Sequence, residues 1–374
     1  MKKLLAILLV AALIVTACAA CASTSKSSTT AASASAGAAA SGSAAASAAG
    51  TSASTAASAS ASSTAAASGD SIVLKLGHNS NTESMYNQGC EKFAELVNQY
   101  TNGSVTIEIH DSGTLGDEAE LLDGVRMGTV DMALINSSQL ATYCSEFSVL
   151  SLPFLFEDYD HVAAVVADQQ ITDILSTDAL NNGGVQLLMP FWADGFRHFV
   201  NSKHEVKSPS DMAGLKLRTP AWEALVAATE QFGATALTMP FGEAYSGISS
   251  GTVDGMEGTS WSILANGIQE VCKYMTLDGH VYSPSVLIIN IDKYNNVLSK
   301  DQQDALVKAA TEAGTWETNL VRDSEQSDLE TLRADGMTIT EVDKSEWVEA
   351  AQPVYDKFAD TYDQNLISLI KALK

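Results

Sequence analysis

Twice in this chain a Gly, three variable residues and then Gly-Thr-Val-Asp follow one another, at Gly124–Ala133 (GVRMGTVDMA) and at Gly247–Met256 (GISSGTVDGM). The second Gly of each copy reads as the residue just past a helix end, free to take positive φ. Thr-Val-Asp then leads into a buried strand. A helix that stops at Gly and feeds a short apolar strand is an α/β signal. Its recurrence predicts two units of like local architecture. The identity ends within a few residues, so the repeat is one of architecture and not of sequence.

The flanking segments agree. Ser71–His78 (SIVLKLGH) is β-rich, and Ser104–His110 (SVTIEIH) alternates with Val105, Ile107 and Ile109 on one face. Between them Tyr86, Cys90, Phe93, Leu96, Val97 and Tyr100 recur at helical spacing until Asn102-Gly103. A helix is expected over Glu118–Met127 with a strand over Val130–Ile135. In the second copy a helix is expected over Gly242–Ser250, with a strand starting at Val253. Ligands of open α/β sheets bind beyond the carboxyl ends of strands. Asn136 after one copy, and Glu257 to Trp261 after the other, are therefore candidates to face a ligand in a cleft between two lobes. Ser299 and Gln302 form a capping-box pattern before a Pro-free helical composition from Lys300 to Ala334. One helix of that length would span roughly 50 Å and tie both lobes together. Two shorter helices broken near Gly314 are the alternative.

Only the chain from about Asp70 onward has anything to bury. Lys2 and Lys3, an apolar run from Leu4 to Val15 and small residues after it make a secretory leader, too short for a membrane span. Val15-Thr16-Ala17-Cys18 resembles a lipobox, which predicts a signal peptide over residues 1–17 and lipidation at Cys18; ordinary cleavage near Ala20 is the alternative. Residues 18–69 are almost only Ser, Ala, Thr and Gly and read as a flexible tether. The formal net charge of −24 leaves no basic surface for nucleic acid. Cys90, Cys144 and Cys272, odd in number and scattered, are expected as buried thiols.

Enzyme signals are poor. GISSG (Gly247–Gly251) matches the nucleophile-elbow pattern, but a helix precedes Ser249 and a strand follows, the reverse of what that motif needs. The six His residues form no metal-binding spacing. EDYDH (Glu157–His161) lacks the glycine and spacing of a calcium loop. No catalytic residue, metal or cofactor is expected. Two arginines remain. Arg197 lies in FWADGFRHFVNS and Arg218 in GLKLRTP, where Leu215 and Leu217 share one strand face and Lys216 and Arg218 the other. A guanidinium matches a carboxylate with a planar fork that Lys lacks. The partner is either an internal Asp or Glu or the carboxylate of a ligand.

FEDYDH, GFRHFVNS, MAGLKLRTP, TMPFGEAYSGISSGTVDGME and HVYSPSVL together resemble the solute-binding proteins of tripartite ATP-independent periplasmic (TRAP) transporters, in the branch called C4-dicarboxylate-binding. The resemblance runs from about Val73 to beyond the long helix. It implies a periplasmic binding protein fold of two lobes, about 71–194 with 284–322 and about 195–283 with 323–374. The same resemblance implies that Arg218 pairs with the ligand carboxylate, that Arg197 adds a second contact, and that Asn79, Asn136 and Phe241 touch the ligand. One departure stands out. The family usually writes D-G-x-E-N-P where this chain has Asp254-Gly255-Met256-Glu257-Gly258-Thr259. Either Thr259, Ser260 or Trp261 substitutes for the missing Asn, or the arginines and water hold the carboxylate. With Asn136 in place of an acid and Phe241, Trp261 and Trp192 offering flat surfaces, a hydroxylated mono-acid such as a uronate or aldonate is expected, C4-dicarboxylates next. The implied partners are the small and large membrane subunits, with the chain itself a monomer anchored outside the cytoplasm. A ligand-binding sensor lipoprotein and, more remotely, a secreted serine hydrolase are the rival readings.

Overall fold

The computed structural model describes residues 71–374, so the leader, Cys18 and the Ser/Ala-rich tract lie outside the described residues. Nine strands form one mixed sheet: β1 Ile72–Gly77, β2 Val105–His110, β3 Met132–Asn136, β4 Val185–Asn201, β5 Lys216–Thr219, β6 Thr235–Thr238, β7 Gly255–Gly258, β8 Tyr274–Asn290 and β9 Thr338–Glu341. The order is β2-β1-β3-β8-β4-β7-β5-β6, with β9 on β8. The architectural repeat is plain in the pairing. β1 is parallel to both β2 and β3, and β5 is parallel to both β6 and β7. Each triplet then meets a long strand antiparallel, β3 on β8 and β7 on β4.

The repeated motif sits at the equivalent place in each triplet and does three things. Gly128 (φ 77°) and Gly251 (φ 77°) turn the chain out of the preceding helices, Glu118–Met127 and Ala244–Ser249. The first Gly of each copy fits a crowded spot: a Cβ at Gly124 would stand 2.9 Å from Val130 Cγ2, and one at Gly247 3.2 Å from Met239 Sδ. The closing Asp reaches sideways. Asp131 accepts the Lys75 N–H of β1, and Asp254 the Lys216 N–H of β5, both at 2.9 Å. A carboxylate thus satisfies an edge donor of the neighbouring parallel strand. For this reason the strands begin later than expected, at Met132 and Gly255 in place of Val130 and Val253.

β4 and β8 run antiparallel along their whole length, with register shifts near Ala193/Gly195 and Arg197/Phe199. Residues 185–193 of β4 pair with 284–290 of β8, and 195–201 with 274–283, so both strands pass from one triplet to the other. The long helix is continuous over Lys300–Ala334, 35 residues, behind the Ser299/Gln302 capping box. Gly314 does not break it. A methyl at Gly314 would collide with the Trp192 indole, so the Gly permits close approach of the helix to β4. The last helix, Gln364–Lys371, departs from expectation. It packs on Gln169–Asp178, and the His161 ring bonds the Ile370 carbonyl at 2.9 Å, so the chain end returns to the first triplet's side and does not stay with residues 195–283. Cys90, Cys144 and Cys272 are free and buried. No helix among the described residues is long and apolar enough to cross a membrane.

Candidate functional site

The carboxyl ends of the parallel strands converge on one cavity of about 60 Å³. β1 delivers Asn79, β3 delivers Asn136, β5 delivers Arg218, and the turn after β7 delivers Trp261. Arg197 and Asp194 reach it from the middle of β4, and Phe241 closes it from the turn after β6. This is the arrangement expected of an open α/β sheet.

The two arginines differ sharply. Arg197 is saturated by the protein: it forks onto the Glu257 carboxylate through Nε and, at 3.0 Å, Nη2, while Nη1 donates to Asp194 Oδ2 at 2.7 Å. Burial alone would lower its pKa, but Glu257 and Asp194 reverse this and hold it above the ordinary range. Burial likewise pushes the Glu257 carboxyl upward, yet Arg197 more than compensates and keeps it ionised. Arg218 is 4% exposed and has no carboxylate partner among the described residues. Its Nε donates to the Met239 carbonyl at 3.0 Å, and its guanidinium lies 5.6 Å from the Phe241 ring centre. Burial pushes its pKa down to about 10, so it is still a cation at neutral pH. A desolvated cation with open N–H donors facing a cavity is a carboxylate receptor.

Six of the eight residues singled out from sequence line the cavity: Asn79, Asn136, Arg197, Arg218, Phe241 and Trp261. Glu257 and Trp192 do not. Glu257 is fully buried, spent on Arg197, and Trp192 packs edge-on to Phe93 beneath the long helix. Of the substitutes considered for the missing Asn, Trp261 lines the cavity, but its N–H is committed to the Asp194 carbonyl at 2.7 Å. Gly258 leaves room for Ile263, whose Cδ1 would lie 3.2 Å from any Cβ there. Asn136 is held by Ser138 and Ser283, whereas among the described residues the Asn79 side-chain amide oxygen meets only the Ser80 hydroxyl, at 3.5 Å.

Sequence reasoning missed seven others that line the cavity: Ser80, Tyr86, Glu118, Asp194, Pro220, Trp222 and Ser262. Asp194 had a signal, the i, i+3 spacing to Arg197 across Gly195. Glu118 had none, since an acid in a helix's first turn has an ordinary capping role. It accepts from the Asn136 N–H at 3.0 Å and from Gln139 at 3.1 Å. Ser249 is exposed at the end of its helix, away from this cavity.

Residues 76–361 match the family model described as bacterial extracellular solute-binding protein, family 7. The chain is 32% identical over 302 residues to the 2,3-diketo-L-gulonate-binding periplasmic protein YiaO of Escherichia coli K12, covering 80% of this chain and 90% of that one. It is 28% identical over 306 residues to the C4-dicarboxylate-binding periplasmic protein DctP of Rhodobacter capsulatus, covering 80% and 90%. The crystal structure of a TRAP periplasmic solute-binding protein from Polaromonas sp. JS666 bound to D-erythronate superposes with a TM-score of 0.77 at 32% identity, covering 81% of this chain and 99% of that one. With sheet order, arginine placement and family model in agreement, the chain belongs to family 7 of the bacterial extracellular solute-binding proteins, the binding proteins of TRAP transporters.

Proposed function

We propose that this protein captures a small organic acid, a hydroxylated mono-acid such as an aldonate or uronate ahead of a C4-dicarboxylate, and delivers it to TRAP membrane subunits. The observation that carries the reading is Arg218, a buried cation whose side chain has only a carbonyl as acceptor among the described residues. Leaving such a group unpaired costs several kcal/mol, and a ligand carboxylate offsets that cost while Arg197, already neutralised, shapes the wall. Relatives that bind 2,3-diketo-L-gulonate and D-erythronate support a sugar-acid class, and the DctP relative supports dicarboxylates.

Titration calorimetry against aldonates, uronates, succinate, malate and the matching neutral sugars tests the class. Saturable binding of at least one acid, with no binding of the neutral sugar, is expected. Binding of a neutral sugar as tightly as its acid, or of no acid at all, overturns the reading. We further infer that Cys18 carries a lipid anchor, because Val15-Thr16-Ala17-Cys18 resembles a lipobox. Cys18→Ala should move the protein out of the membrane fraction; unchanged membrane association refutes the anchor.

A further inference from the structure

The arginine cavity has several neighbours: hollows of about 310 and 370 Å³ share Asn79 and Phe241 with it, and a third adjoins it at Trp222. On the other side of Trp222 lies a chamber of about 340 Å³, lined by Ser138, Thr142, Ser148, Ser151, Glu223 and Tyr362. Trp222 is the single residue common to both linings, so its ring is the partition between them. The ring is well anchored. It is 7% exposed, packs on Leu225 and Val281, and stands 5.1 Å from the Arg197 guanidinium. Its indole N–H is buried and finds no acceptor among the described residues. A buried donor without a partner at the edge of a binding cavity is costly unless an occupant satisfies it.

The chamber's chemistry is specific. Four hydroxyl side chains and a Tyr line it, and Ser138 also bonds the Asn136 amide oxygen at 2.6 Å, tying the chamber wall to the cavity wall. Glu223 adds a carboxylate. Such a lining accepts a neutral, hydroxylated chain and repels a second anionic group.

We propose that Trp222 is a specificity-determining residue: it closes the arginine cavity on one side and so keeps the tail of a bound acid from extending that way, shutting off a chamber suited to the polyhydroxylated tail of a longer mono-acid. This rests on the carboxylate reading of Arg218, and its test separates the two. Erythronate, galactonate and galactarate are titrated by calorimetry into the wild-type protein, Trp222→Ala and Trp222→Phe. Trp222→Ala should raise the galactonate-to-erythronate affinity ratio about tenfold and leave galactarate behind, because its second carboxylate meets Glu223. Trp222→Phe, which keeps the wall, should keep the wild-type order. If Trp222→Ala melts below the assay temperature, Trp222→Leu replaces it and should shift the ratio in the same direction.

A ratio within about twofold of wild type in the Ala variant, an equal shift in the Phe variant, or an equal gain by galactarate overturns the proposal while wild-type acid binding leaves the carboxylate reading standing. Absence of acid binding by the wild-type protein overturns both.

Discussion

Arg197 and Arg218 lie in similar local sequence, each on a strand among apolar neighbours, yet the fold gives them opposite tasks. Glu257 arrives opposite Arg197 because β7 pairs with β4, placing Glu257 against Phe199 in register. Arg218 has Met256 across from it in β7, with no charge to offer. Substituting each therefore reports on a different state of the protein. Arg218→Ala should leave the unliganded melting temperature near wild type and cost about 2–5 kcal/mol of acid affinity, roughly 30-fold to several thousand-fold in Kd. Arg218→Lys should recover part of this, since a point charge cannot form the paired contact. Arg197→Ala strands Glu257 and Asp194 in the interior and should destabilise the unliganded fold by about 3–5 kcal/mol. Calorimetry together with melting of the free protein separates them; a lowered free-protein melting point for Arg218→Ala with near-normal affinity would make Arg218 a structural residue. That both arginines mattered was legible in the sequence. The i, i+3 spacing to Asp194 hinted at one internal partner of Arg197, but the Glu257 fork, 60 positions away, and the lack of a carboxylate on Arg218 among the described residues were not legible.

At the scale of elements, the long helix carries a buried acid. Glu317 is fully buried, with Oε2 accepting the Ala193 N–H at 2.9 Å and Oε1 without a partner among the described residues. Burial first, and Asp194 in addition, push its carboxyl well above the ordinary range, against the opposing Ala193 bond. The sign follows from linkage: over the interval above the unfolded value of about 4.3, the folded state holds a proton the unfolded state has lost, so stability falls as pH rises. Glu317→Gln keeps an acceptor for Ala193 and removes the titration. It should raise stability at pH 7–8, the difference closing toward pH 4. Denaturant unfolding at several pH values checks this, and a variant that tracks wild type throughout contradicts it. The helix itself was legible from its capping box and Pro-free composition. Gly314 was ambiguous, since a helix-breaking Gly and a close-packing Gly look alike until Trp192 is placed beside it. The repeated motif's Gly was read correctly as a stop. The role of its Asp was hidden, because Lys75 and Lys216 become its neighbours only through strand pairing.

For the whole molecule, the cavity draws on both triplets of strands, and β4, β8 and the long helix run between them. An acid that touches both sides favours the conformation in which they are close. Small-angle scattering should therefore show a smaller radius of gyration at saturating ligand, and superimposable curves would argue against closure. By itself the sequence determined the α/β class, the doubled helix-stop-strand unit, the long helix and six of the thirteen residues that line the cavity. These follow from local periodicity, turn chemistry and charge, which operate over a few positions. Only the tertiary structure decided that Glu257 and Trp192 serve the interior, that Asp194, Glu118, Tyr86 and Trp222 join the site, and that the last helix returns to the first triplet's side. Those outcomes depend on which strands become neighbours. Strand pairing brings residues together across long stretches of chain, and no local pattern records the partner.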